Sequence, residues 1–207
     1  MWIYWVRLLL IAGSIVITVL LVKKKLRKKH FLKWLVIASN VVLVIAISFF
    51  PFEQLFLRGN TPESLFAQLN FGQTIVSVAD GKESCMIVSK SKNLEYSETF
   101  YLKTDHGYKT TNIIPWKIVG ELSFDDGSFQ IIQVIGTEDY YLSGNCYQEQ
   151  DVSIFDNLDS EFFIQKNVLS ESNTDILYNF YITAYLKDYS ENYMLSINGE
   201  QSIIEKH

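Results

Sequence analysis

Two long apolar runs flank the segment Lys23 to Lys29, KKKLRKK, and that arrangement leaves few folds open to the first 52 residues of this 207-residue chain. The first run, Trp2 to Val22, is interrupted only by Arg7, and the second, Trp34 to Phe52, contains no ionisable side chain. Built as a helix, the second run is about 28 Å long, close to the roughly 30 Å hydrocarbon thickness of a bilayer. Hydrocarbon offers no partner to backbone N–H and C=O groups, so a segment that crosses it singly must be helical. The expectation is a transmembrane helical hairpin over residues 1–52, with its connecting loop at 23–33.

Charge gives the hairpin a direction. Lys23, Lys24, Lys25, Arg27, Lys28, Lys29 and Lys33 lie in or beside the loop, against Arg7 alone on the other flank. Lys and Arg are retained on the cytoplasmic side, which predicts a two-pass cell-membrane protein with both termini outside. A cleaved signal carries its positive charge before the apolar core, whereas here the charge follows it, so the first run is expected to stay as an anchor. Arg7 is close enough to the first helix end to snorkel toward headgroups, and Trp2, Tyr4, Trp5 and Trp34 suit an interfacial aromatic belt. Near mid-membrane, Asn40 needs a hydrogen-bond partner, which either the facing helix or another membrane protein could supply.

All 23 acidic residues fall at Glu53 or later with ten of the 18 basic ones, so the two segments carry about +8 and −13. A segment that acidic repels polyanions, which argues against nucleic acid as a partner. The chain has no N-x-S/T sequon, which fits a bacterial membrane protein.

Residues 53–60 read as a linker and 61–207 as an extracytoplasmic domain. Thr61-Pro62-Glu63 opens a short helix, with Thr61 as N-cap and Pro62 at the first helical position, and Asn70 to Gly72 should close it. From Gln73 onward, short β-branched and aromatic runs alternate with the turn dipeptides Asp80-Gly81, His106-Gly107, Asp126-Gly127 and Asn198-Gly199. These place strands near 74–79, 85–90, 96–103, 108–113, 117–124, 129–136, 140–148, 161–168, 176–186, 192–197 and 201–205. The fold class is therefore a transmembrane hairpin followed by a mainly antiparallel, sandwich-like β domain with one short helix. A break near 125–127 would divide that domain into two subdomains. In YNFYITAYL, alternation sets Tyr178, Phe180, Ile182 and Ala184 on one face and Tyr181, Thr183 and Tyr185 on the other, as packing or as a carbohydrate or peptide platform.

Chemistry is sparsely marked. Cys85 and Cys146 are the only cysteines; they form either a disulfide closing a loop of about 60 residues or two buried thiols. With no CxxC and no neighbouring histidine, metal or redox chemistry and cofactors are not indicated. His106 sits in a turn signal, a poor place for a relay imidazole. The acids Asp151, Asp156, Asp159 and Glu161 lack the spacing that folds one loop around Ca²⁺, and read as a solvated loop. The resulting expectation is a non-enzymatic, membrane-anchored binding or adaptor protein whose partners are the bilayer and another protein or wall component. The alternative is an accessory subunit of a transporter or other complex, contacting it through the hairpin, and Asn40 is its candidate contact.

Overall fold

A computed structural model describes residues 2–24, 30–49, 57–70, 72–93, 95–111, 115–171, 176–190 and 192–204. The chain forms two compact units, Met1–Leu57 and Arg58–His207.

The first unit contains helices α1 (Trp2–Lys24) and α2 (His30–Phe49), both long and apolar enough to cross a membrane. Their contact faces repeat every three or four residues, as helical geometry requires. Arg7, Ile11, Ser14, Thr18 and Val22 of α1 and Lys33, Ile37, Asn40, Val44 and Ile47 of α2 are among the half-shielded positions. The Asn40 amide donates to the Ser14 carbonyl at 3.2 Å, and the Ser14 hydroxyl donates back to the Ile11 carbonyl at 2.9 Å. Facing outward are apolar residues such as Leu9 and Val42, which are 70% and 66% exposed.

The second unit contains one helix and three sheets in which every described strand pair is antiparallel. Helix α3 (Pro62–Leu69) starts as its sequence predicts, with the Thr61 hydroxyl accepting from the Ser64 N–H, and buries Leu65 and Phe66. The first sheet has the order β1 (Arg58–Gly59), β5 (Gly107–Thr110), β4 (Tyr96–Thr104), β3 (Ser84–Lys90), β2 (Thr74–Asp80). In the second the order is β10 (Phe162–Glu171), β11 (Ile176–Leu186), β8 (Tyr140–Gln148), β7 (Gly127–Val134), β6 (Trp116–Phe124). The third is β13 (Glu200–Ile203), β12 (Met194–Ile197), β9 (Ile154–Asp156).

The second sheet is the middle layer, because the period-two alternation of its strands feeds two cores. Phe129, Ile131, Leu142, Cys146, Phe180, Ile182 and Ala184 pack toward Tyr193, Leu195 and Ile197 of the third sheet and its lead-in. Ile132, Val134, Tyr141 and Tyr181 point the other way, onto Met86, Val88 and Phe100 of the first sheet. The alternation expected for β11 is thus present, with both faces used for packing.

Three expectations are revised. Asp125 and Asp126 are the two-residue turn joining β6 to β7 within one sheet, so no break falls there; a hairpin turn links strands that must pair. The passage between sheets comes earlier, between Thr110 and Trp116. Arg58 and Gly59 of the expected linker pair with Lys109 and Tyr108 as an edge of the first sheet. The expected acidic loop contains β9, which pairs with β12. Parts of the strands expected at 108–113 and 201–205 lie outside the described residues.

Candidate functional site

The junction between the first and second sheets brings together carboxylate, hydroxyl and phenol side chains from both. It is built by β4, which lies across the second sheet. The Tyr96 hydroxyl donates to Asn167 of β10 at 2.9 Å, and its ring stacks on Tyr181 of β11, with centroids 4.5 Å apart and planes 8° from parallel. Glu98 accepts from the hydroxyls of Tyr181 and of Ser143 on β8. Phe100 meets Tyr141 of β8 at 5.6 Å and Trp116 of β6 at 6.4 Å. One strand of the first sheet therefore touches four strands of the second, the signature of a large crossing angle between sheets.

A second carboxylate runs in the opposite direction. Asp139, which leads into β8, is fully buried and reaches the turn before β3. Its oxygens accept from the backbone N–H of Lys82 (2.9 Å), Glu83 (2.8 Å) and Ser84 (2.6 Å) and from the Ser84 hydroxyl (2.8 Å). Tyr185 adds its hydroxyl at 3.0 Å. Burial alone would raise this carboxyl's pKa, but the hydrogen bonds from Ser84, Glu83, Lys82 and Tyr185 together hold it below the usual carboxylate range. Each sheet thus contributes one carboxylate that the other satisfies. Burial pushes the phenols of Tyr141, Tyr181 and Tyr185 up, the last to about 12, so they remain hydrogen-bond donors at neutral pH.

Beside Asp139 opens a cleft of about 830 Å³ lined by Lys82, Glu83, Glu138, Tyr140 and Asp188, among others. Its Lys82–Asp188 ion pair, 3.0 Å long, has both side chains exposed and so contributes little. Asp139, the buried acid of this cleft, has its oxygens occupied by donors. Glu98 is likewise held by two hydroxyls. Neither arrangement pairs an acid with a base or activates a nucleophile, and both fasten the sheets together.

Beyond the line of β4, the second sheet keeps a face that no described strand covers. Cross-strand pairing sets Glu121, Gln130 and Ser143 in one row and Ser123, Ser128 and Asn145 in the next. Gln130, Ser123 and Ser128 are exposed and Asn145 is half-exposed, while Ser143 is tucked under Glu98. Tyr147, two residues beyond Asn145 and hence on the same face, is 41% exposed, and Trp116 at the other end is 36% exposed. The opposite face of these strands is the core containing Leu122, Phe129 and Leu142.

The residues singled out from the sequence are not brought together. Cys85 lies in β3 and Cys146 in β8, each a buried free thiol. Burial raises the Cys85 thiol to about 12 and the Cys146 thiol to about 11, leaving both poorly nucleophilic. Asn40 belongs to the helical unit, where its amide is bonded to Ser14. Of the acidic run, Asp156 is buried and accepts from the N–H groups of Leu158 and Ser160, closing a tight turn after β9. Asp151 pairs with Lys166 at 2.6 Å. His106 is exposed in the β4–β5 turn.

Glu98, Ser143 and Asp139 were not marked by any motif, because their partners are 38 to 83 residues away in sequence and meet only through sheet packing. No protein-family model matches the chain, and no curated protein or solved structure is similar to it.

Proposed function

We propose that this chain is a non-enzymatic, membrane-anchored binding or adaptor protein, in which α1 and α2 span the bilayer and the β domain presents the binding surface. The observation that carries the reading is the inverted polarity of the helix pair. Ser14, Thr18 and Asn40 lie in the seam between the helices, while Leu8, Leu9, Leu10, Val16, Ile17, Leu35, Val41 and Val42 face outward. In water, apolar surface is driven inward, at roughly 25 cal/mol for each Å² removed from solvent. Hydrocarbon removes that drive and favours polar groups bonded between helices, which is the pattern here. A basic flank at the α1 end and an acidic β domain fit a cytoplasmic loop with the domain on the outer side.

The binding role draws support from how the domain uses its polar groups. The carboxylates of buried Asp139 and half-buried Glu98 are committed to joining sheets, and the open polar face of β6, β7 and β8 carries mainly neutral side chains. The other reading, an accessory subunit that recognises its complex within the membrane, had Asn40 as its contact; that amide is already bonded to Ser14, which favours the adaptor reading.

The test exchanges residues 1–52 for an unrelated two-helix anchor and compares what co-purifies from native membranes with each version. Partners retained by both versions are the expected result. Partners lost with the native hairpin would overturn the adaptor reading in favour of the accessory subunit.

A further inference from the structure

The uncovered face of β6, β7 and β8 has a composition that the packing of the domain does not explain. Elsewhere on the same sheet, several polar side chains are taken up by packing: Ser143 and Tyr181 by Glu98, Tyr185 by Asp139, and Asn167 by Tyr96. Ser123, Ser128, Gln130, Asn145 and Tyr147 share that face, and among the described residues their side chains make no hydrogen bond. They sit on three paired strands backed by a close-packed core, so their spacing is fixed before any ligand arrives.

We propose that this shelf binds an uncharged polysaccharide strand, a reading that rests on the binding role proposed above and gives its partner a chemical class. Three features select that occupant. Gln130 and the row Ser123–Ser128–Asn145 offer amide and hydroxyl groups that both donate and accept, as a run of sugar hydroxyls requires. Trp116, whose ring also meets Phe100, and Tyr147 are partly exposed on the same face, where a flat apolar ring face can cover the C–H face of a sugar ring. Charge removes the competitors: the segment from Glu53 onward is strongly acidic and the shelf's one ionisable row member is Glu121, so a polyanionic wall polymer or a nucleic acid would be repelled. A basic peptide would meet Glu121 but would leave the neutral donors and acceptors without a regular partner.

The full chain in phospholipid nanodiscs, which carry no sugar-headed detergent, is passed over insoluble β-linked glucan, β-linked N-acetylglucosamine polymer and immobilised polylysine. Retention is expected on at least one of the neutral polymers and absent on polylysine. Tyr147→Ala and Gln130→Ala are surface changes outside both cores, and each should weaken retention roughly five- to tenfold, the range that one stacking or hydrogen-bonding contact carries. Unchanged circular dichroism confirms that the variants fold. No retention on either neutral polymer, retention indifferent to both substitutions, or retention on polylysine alone would overturn the assignment. Native partner proteins that still co-purify with both variants would leave the adaptor reading standing while the polysaccharide reading falls.

Discussion

Asp139 shows how much a single side chain contributes to this domain. Five hydrogen bonds converge on its carboxylate from Lys82, Glu83, Ser84 and Tyr185. Truncation would leave buried donors without acceptors, and each such group costs about 1–3 kcal/mol. Asp139→Ala is therefore expected to lower the stability of the full chain's β domain by about 3 kcal/mol in denaturant unfolding followed by near-ultraviolet circular dichroism. A loss below about 1 kcal/mol would show that the two sheets do not depend on this carboxylate. The pH dependence follows from the lowered folded pKa. The carboxylate's stabilisation is complete above the unfolded value of about 3.9 and is lost as pH falls through the folded one, so the variant should show a shallower decline in stability below pH 4. Nothing in the segment GTEDYYL distinguishes Asp139 from Glu138 beside it, since burial is decided by strands more than fifty residues away. Cys85 and Cys146, by contrast, were legible as residue types, and the structure assigns each a place in a separate strand.

Among the elements, turn chemistry made most of the β domain readable. The Asn198-Gly199 turn joins β12 to β13 with φ of 52° and 88°, the left-handed pair that a two-residue hairpin needs. A Cβ on Gly199 would meet nothing within 4 Å, so Gly199→Ala should cost only the left-handed strain, about 1 kcal/mol. Gly144 in β8 is the opposite case, because a Cβ there would run into the Ser128 carbonyl and the Phe129 ring of the neighbouring strand. Gly144→Ala should destabilise by roughly 3 kcal/mol; thermal unfolding of the two variants side by side checks the order, and equal losses would contradict it. The strand alternation in β11 and the cap of α3 were equally plain. What escaped was short: β1 has two residues and β9 three, too few for any periodicity to register. Both are held by pairing with distant strands, Arg58 with Lys109 and Asp156 with Leu195. The shelf on β6 to β8 was missed for a related reason, since which sheet face stays open depends on how far the first sheet extends over it.

At the scale of the whole chain, charge and hydropathy tell a consistent story in two units. The helical unit sets Ser14, Thr18 and Asn40 in its seam and exposes many apolar side chains, whereas the β unit buries its apolar side chains in two cores. The proposed membrane placement would give each unit the solvent that its surface suits. The most direct test is impermeant maleimide labelling of intact cells expressing the full chain with one added cysteine, either Lys92→Cys in the exposed turn after β3 or Lys28→Cys in the basic segment. The native thiols are buried and protonated, so the added residue should dominate the signal. The account predicts that Lys92→Cys is labelled in intact cells and Lys28→Cys only after permeabilisation. Labelling of Lys28→Cys with protection of Lys92→Cys would reverse the orientation, and equal labelling of both in intact cells would contradict a membrane-spanning hairpin.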